Sequence, residues 1–359
     1  MHKILTIIGA RPQFIKAAPV CRALAATGTI QEVLLHTGQH FDHRMSEVFF
    51  EQMDIPRPRY NLGIHSMTHG AMTGRMLEAI EGILLEEKPD HVMVYGDTNS
   101  TLAGALAAAK GHIPVAHVEA GLRSFNTGMP EEINRILTDR VSSLLFCPTK
   151  TAAENLEKEG FAHFGVRIEQ TGDVMLDAAL MFLDRASAPE GIRLPEDFVL
   201  ATVHRAENTD NPDRLQEVVD GLRRVSESIP VVFPVHPRTW LAMQRMGGPG
   251  LSGRILRLEP QGYLQMLWLL KHCRMVMTDS GGLQKEACFF KKPCITLRRE
   301  TEWTELTDSG CNVLCGTDPE AVSGAASDFM AKPPAFPDGL YGNGNAASKI
   351  AAAFLSTRS

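Results

Sequence analysis

Short β-branched and apolar runs alternate along the chain with longer stretches in which apolar residues recur every three or four positions. This is the pattern of βα units laid on a parallel sheet. In the amino-terminal half, Lys3–Gly9, Glu32–Gly38, His91–Asp97, Val115–Gly121 and Leu144–Thr149 are predicted strands. Helices are predicted over Pro12–Ala25, Arg44–Met53, Met72–Glu86, Asn99–Ala109 and Pro130–Ser142. A second series predicts strands at Phe198–His204, Val231–His236, Ile255–Leu258, Met275–Asp279 and Cys294–Leu297, with helices over Pro212–Ser226, Gly262–Leu270, Gly282–Phe290 and Pro319–Met330.

The aperiodic segment Ala186–Pro195 separates the two series, the strand and helix within Ile168–Asp184 fit either half, and the hinge is placed near residue 170. The last apolar stretch, Ala346–Leu355, has a helical composition and is expected to cross back onto the first half. The expected fold is therefore α/β, with two Rossmann-like doubly wound domains. Residues 1–170 with a C-terminal helix at about 345–359 make the first, and residues 171–344 the second. Such domains hold ligands at the carboxyl ends of their strands, so the two are expected to face each other across a cleft.

A length of 359 residues suits two domains, each with its own core. The formal charge is −6, from 36 Lys and Arg against 42 Asp and Glu, which argues against nucleic acid or an anionic membrane surface as partner. No stretch approaches the roughly 18 apolar residues of a membrane span. The apolar run Ile4–Ile8 stops at Gly9, too short for a signal peptide, so no membrane insertion and a cytoplasmic location are expected. The seven cysteines, at 21, 147, 273, 288, 294, 311 and 315, lack paired CxxC spacing and read as reduced thiols. His36, His40, His43, His65 and His69 cluster in sequence, but their spacing places no three on one helix and there is no HExxH, so no metal is expected.

Chemistry concentrates at the predicted strand ends. The first βα junction, Gly9-Ala10-Arg11-Pro12 with Lys16, joins a helix start to two cations and suits an anion. Gly9 is able to take a positive φ there. The junction is not G-x-G-x-x-G, which argues against a nicotinamide or flavin cofactor. Asp97 and Glu119 end neighbouring predicted strands, and Glu131 and Glu132 open the helix after Pro130. Acids in a first helical turn offset the helix dipole, and Asp97 could serve as a helix cap, yet several acids converging on one sheet edge point to catalysis. The second half supplies His204 with Arg205, Glu207 and Asn208, then His236-Pro237, then Asp279-Ser280-Gly281-Gly282 with Glu286. The Ser-Gly-Gly turn lets backbone amides approach a pyrophosphate, and Glu286 is placed to accept from a ribose diol.

Taken in order, these residues resemble the non-hydrolysing UDP-N-acetylglucosamine 2-epimerases. Gly9 to Lys16, Thr37-Gly38-Gln39-His40, Gly96-Asp97-Thr98, His117 to Arg123, Pro130 to Arg135, Gly172-Asp173, His204 to Asn208, His236-Pro237 and Asp279 to Glu286 carry the resemblance over nearly the whole chain. The resemblance implies the glycosyltransferase-B arrangement, a homodimer, a UDP-sugar substrate and no cofactor. Within the family the chain looks most like the branch acting on UDP-2,3-diacetamido-2,3-dideoxy-D-glucuronate, which serves O-antigen or capsule assembly. Its stretch Arg123–Arg135 lacks the Tyr-Ser-Pro of the N-acetylglucosamine enzymes, and Trp303 stands where those enzymes carry arginine.

Carried over residue by residue, the resemblance implies catalytic roles for Asp97, Glu119, Glu131 and His204. It implies contacts to the UDP-sugar from Arg11, Lys16, Arg123, Arg205, Asn208, His236, Ser280, Gly281, Gly282 and Glu286. Gln39 and His40, with Arg205, correspond to residues through which some members bind a second, activating substrate. An N-acetylglucosamine substrate, a glycosyltransferase, a hydrolysing enzyme and a non-catalytic UDP-sugar-binding module are the alternatives.

Overall fold

The computed structural model describes residues 1–39, 53–248 and 250–356, in two compact units, Met1–Met181 with Gly339–Ser359, and Phe182–Asp338. The predicted helix at Arg44–Met53, apart from Met53, and the expected site residue His40 lie outside the described residues.

The first unit is built on seven parallel strands: β1 His2–Ile8, β2 Ile30–His36, β3 Tyr60–Asn61, β4 His91–Tyr95, β5 Val115–Val118, β6 Leu144–Cys147 and β7 Arg167–Gln170. Their order is β3-β2-β1-β4-β5-β6-β7. Among the described residues, helices α1 Arg11–Ala26, α2 His69–Glu87, α3 Asn99–Lys110, α4 Pro130–Val141, α5 Lys150–Lys158 and α6 Val174–Phe182 connect or follow them. Leu5, Ile7, Val33, Leu35, Val92 and Val94 pack on one face against Met72, Met76, Ile80 and Leu84, which recur every four residues along α2. Ile4, Met93 and Tyr95 alternate with them and are buried as well. Burial on both faces explains why these strands read as continuous apolar runs.

The second unit repeats the plan on six parallel strands, β8 Val199–Thr202, β9 Val231–Pro234, β10 Ile255–Leu258, β11 Met275–Thr278, β12 Cys294–Thr296 and β13 Asn312–Leu314, in the order β10-β9-β8-β11-β12-β13. Its helices are α7 Ala206–Thr209, α8 Pro212–Ser228, α9 Pro237–Arg245, α10 Tyr263–His272, α11 Gly281–Phe289, α12 Thr304–Asp308 and α13 Pro319–Ala331. Val199, Ala201, Val231, Phe233 and Met277 meet α8 and α13 on one face, while Phe198, Leu200, Val232 and Val276 meet Leu269, Leu270, Leu283 and Ala287 on the other. The chain then returns to the first unit as α14, Ala346–Ser356, which packs on α1.

The boundary expected near residue 170 falls instead between Met181 and Phe182. β7 is hydrogen-bonded in register to β6, and Asp177 on α6 accepts from Ala346 N at 2.8 and 2.9 Å, so α6 is held by the first unit and the start of α14. Most predicted strands run past the observed ends, among them those at Tyr95, Val118, Thr202 and Thr278. Gly96 at φ 61° and Glu119 at φ 77° have left the extended region, so these residues stand in turns beyond the sheet. β3, β13, α7 and α12, two to five residues long, are too short to show a period, and α5 and α9 were not predicted either.

Candidate active site

In the first unit the polar side chains gather where the strand order reverses, between β1 and β4, with β5 alongside. β1 leads through Gly9 and Ala10 into α1. Gly9 is not among the residues of positive φ. A Cβ there would lie 2.1 Å from Thr37 Oγ1 and 2.2 Å from Ser100 Oγ, so glycine is required by close approach and not by its φ. Gln13, buried on α1, accepts from Gly9 N at 2.7 Å and Ala10 N at 2.9 Å. Its Nε2 donates to Tyr95 O at 2.7 Å and to Thr98 Oγ1 and Thr101 Oγ1, both at 3.0 Å. This amide joins the turn after β1 to the turn after β4. Sequence reasoning did not single it out, although a polar residue between apolar neighbours on a buried helix face was a usable signal.

Arg11 is half-buried at the start of α1. Lys16, one turn on, forms an ion pair with Glu119, the two side chains 12% and 8% exposed. A Cβ at Gly96 would come within 3.2 Å of Glu119 Oε2 and 3.3 Å of Lys16 Nζ. The left-handed backbone of Glu119 costs about 1–2 kcal/mol in a residue with a side chain. It is held by bonds from Glu119 N and Ala120 N to Phe146 O, at 3.0 and 3.1 Å. Strain of this kind gathers at functional positions.

Asp97 accepts from Arg135 of α4, Nη2 at 2.7 Å and Nε at 3.0 Å, while Asn134 Nδ2 donates to its carbonyl at 2.9 Å. The two adjacent acids of α4 separate cleanly. Glu132 is buried, accepts from Ser124 N at 3.0 Å and Phe125 N at 2.9 Å, and pairs with Arg135. Glu131 is half-buried in the first helical turn, with no hydrogen-bond or ion-pair partner among the described residues. The expected ligand contact Arg123 instead turns inward. It donates to Asp139 Oδ2 at 2.7 Å and to Glu159 at 2.7 and 2.9 Å, and its side chain is 1% exposed. These carboxylates hold its guanidinium charged despite burial, which alone would lower its pKa. Gln39 Oε1 accepts from Ser100 N at 3.1 Å and Ser100 Oγ at 2.7 Å, which satisfies an otherwise unpaired donor at the start of α3.

In the second unit the corresponding reversal lies between β8 and β11. Asp279, fully buried, accepts from His204 N at 3.1 Å, Arg205 N at 3.0 Å and Asn208 Nδ2 at 3.1 Å. The expected contact Asn208 is thereby drawn into the interior, where it also donates to Leu297 O at 3.1 Å and accepts from Arg214. Asp279 thus anchors the His204-Arg205 turn, a role that sequence alone did not assign. The His204 ring lies 5.7 Å from that of His236 and is held below the ordinary histidine range, chiefly by desolvation, with the Asp279 charge pulling the other way and Arg205 and Arg238 adding to the depression. His236 caps α9, its Nδ1 accepting from Arg238 N at 3.2 Å.

Ser280 caps α11, its Oγ accepting from Leu283 N at 3.4 Å. A Cβ on Gly281 would lie 2.2 Å from Glu302 Oε1, whereas one on Gly282 would meet nothing closer than Ser280 Oγ at 3.9 Å. Glu286 follows one turn into α11 and is 8% exposed. Glu302 lies 3.8 Å from Arg205 Nη2 and accepts from Arg298 Nη1 at 3.0 Å. Trp303 is buried with Lys285 Nζ 4.5 Å from its ring centre.

Among the described residues no group of three His, Cys, Asp or Glu is placed to hold a metal ion, and His36 is packed edge-on against Phe14. No described helix is long and apolar enough to cross a membrane.

The family model described as UDP-N-acetylglucosamine 2-epimerase matches residues 22–355. The chain belongs to the UDP-N-acetylglucosamine 2-epimerase family. Another relative, the UDP-2,3-diacetamido-2,3-dideoxy-D-glucuronate 2-epimerase of Pseudomonas aeruginosa, is 55% identical over 97% of this chain and 98% of its own. The UDP-N-acetylglucosamine 2-epimerase of Methanocaldococcus jannaschii is 43% identical over 97% of both. The crystal structure of the latter in complex with UDP-GlcNAc and UDP matches with a TM-score of 0.90 over 99% of each chain. The Neisseria meningitidis 2-epimerase bound to UDP-GlcNAc matches at 0.89, with 29% identity, over 99% of this chain and 100% of that one. Both this 2-epimerase chain's sheets are of the Rossmann-like kind that these matches share.

Proposed function

We propose that the protein is an isomerase that inverts C2 of a UDP-linked 2-acetamido sugar, with UDP-2,3-diacetamido-2,3-dideoxy-D-glucuronate as substrate and its manno epimer as product. The observation that carries this substrate is the 55% identity to the Pseudomonas aeruginosa enzyme of that name, against 43% to the Methanocaldococcus jannaschii enzyme. UDP-N-acetylglucosamine is the second reading, favoured by the names of the other relatives.

The C2 hydrogen has no carbonyl beside it in the ring, so a carboxylate cannot remove it at a useful rate from the intact sugar. Departure of UDP from C1 develops positive charge at C1 and the ring oxygen, which acidifies that hydrogen. Arg11, His204 and the amino end of α11 at Ser280–Gly282 stabilise the departing diphosphate, with Arg205 and His236 beside it and Glu286 at the ribose. Asp97 and Glu131 serve as the acid-base groups on the two faces of C2, and Glu119, paired with Lys16, tunes them. The glycal so formed regains a proton on the opposite face as UDP adds back. These assignments are supported by the placement of Asp97 and Glu119 at adjacent strand ends and by Glu131 having no protein partner among the described residues. A homodimer is proposed with them; Ile133 and Leu137, 45% and 42% exposed one turn apart on α4, offer apolar surface for it.

The test is incubation with the sugar nucleotide alone in deuterium oxide. Deuterium at C2 of recovered substrate and product is expected. Inversion without label, or with the anomeric bond never broken, refutes the mechanism. Comparing the two sugar nucleotides decides the substrate.

A further inference from the structure

Beneath the turns that carry the acids, the first unit holds a buried polar chain that the reaction as described does not use. His117 stands on β5, two residues before Glu119. Its Nε2 donates to the carbonyl of Gly96, the residue before Asp97, at 2.8 Å, and its Nδ1 meets Asp139 Oδ1 at 2.6 Å. Asp139 stands on α4, the helix that also carries Glu131. Its other oxygen accepts from Gly121 N at 3.1 Å and Arg123 Nη1 at 2.7 Å, and Arg123 continues to Glu159, whose side chain is 29% exposed. The His117 and Asp139 side chains are fully buried. Burial alone would push the Asp139 carboxyl up, but His117 and Arg123 overcome it and hold it below the usual carboxylate range. Both ring nitrogens of His117 are thus engaged by oxygen atoms, one of the Asp139 carboxylate and one of the Gly96 carbonyl.

We propose that the His117–Asp139 pair is a positioning device for the proton transfers, fixing the spacing of Asp97, Glu119 and Glu131 by tying the turns after β4 and β5 to α4. This rests on the assignment of those acids to the C2 proton. A buried ion pair is a weak source of stability compared with well-packed apolar residues, whereas its directional bonds fix geometry. Apart from the outer bond of Arg123 to Glu159, the bonds of the chain reach either an acid-bearing turn or the helix that bears the third acid.

Misplacing a reacting group by about 1 Å costs on the order of a hundredfold in rate. Asp139→Asn and His117→Gln are therefore expected to lower kcat by about ten- to a hundredfold, with KM and the calorimetric UDP affinity within about threefold of wild type. A larger share of turnovers should end as free UDP and glycal, because proton return slows relative to escape. A purely structural role would instead lower the folded fraction, read by near-UV circular dichroism, and leave kcat per folded molecule and glycal release unchanged; that result overturns the proposal. Should both variants fail to fold, Glu159→Gln at the outer end of the chain is measured. A smaller kcat loss with raised glycal release supports the proposal, and no change in either overturns it. Wild-type enzyme that places no deuterium at C2 would refute the acid assignment itself, a failure distinct from a wild type that exchanges while its variants lose only folded protein.

Discussion

Asp279 offers the sharpest test of how the second unit presents its cations. Asp279→Ala removes a buried carboxylate that accepts from His204 N, Arg205 N and Asn208 Nδ2, at 3.0 to 3.1 Å. Asn208 Nδ2 keeps Leu297 O at 3.1 Å, so the loss falls on two backbone donors of the His204-Arg205 turn. Each buried donor left unpaired costs about 1–3 kcal/mol, which puts the variant at about 2–5 kcal/mol once partial access of water to this half-buried turn is allowed for. At roughly 2–4 °C per kcal/mol for a unit the size of Phe182–Asp338, Tm should fall by about 4–20 °C. The effect on binding is separate. A displaced turn presents His204 and Arg205 less well to a diphosphate and should weaken UDP binding about ten- to a hundredfold, each tenfold being about 1.4 kcal/mol. Asp279→Asn keeps one acceptor oxygen and should fall between wild type and Asp279→Ala in both measurements. Titration calorimetry with UDP and scanning calorimetry of the free protein provide the two readouts. If Asp279→Ala lowered Tm while UDP affinity stayed within about twofold, the turn would hold the fold but not the nucleotide, and the reasoning would fail.

Asp97→Asn and Glu131→Gln should each retain UDP affinity while losing most turnover, because the proposed contacts to UDP are made by other residues; lost UDP binding by calorimetry would reassign them to structure. Gly9→Ala should destabilise by about 2–4 kcal/mol, since its Cβ must displace the hydrogen-bonded Thr37 and Ser100 hydroxyls, and an unchanged Tm would contradict the close approach at that turn. His91, packed against His2 and Phe354, is pushed down from 6.5 to about 4, chiefly by burial and next by the His2 charge. Its folded form holds a proton less tightly than the unfolded one, so its contribution is full above 6.5 and is lost as pH falls toward about 4. His91→Asn should therefore lose less stability than wild type between pH 7 and 4.5, and equal losses in scanning calorimetry would remove this residue from the acid response.

The alternation of strand and helix, the two parallel sheets and the placement of the polar turns at strand ends were legible in the chain itself. Those features depend on local causes: apolar runs long enough for a strand buried on both faces, helical periodicity, and the glycines and acids that end each run. The family could be read from the same turns, because their residue types recur in a fixed order. The tertiary structure decided what each polar residue does there. Glu131 and Glu132 are neighbours of the same type, yet only the fold shows that Glu132 is occupied by Ser124, Phe125 and Arg135. Gln13 reaches Tyr95 across 82 residues, Asp139 reaches His117 across 22, and Asp279 reaches His204 across 75. Arg123 and Asn208 carry ligand-binding side chains by type but spend their donors on buried acceptors. A sequence records which donors and acceptors are present. Whether each faces the ligand or a buried partner depends on which strand ends the sheet order brings side by side, and that pairing exists only once the chain has folded.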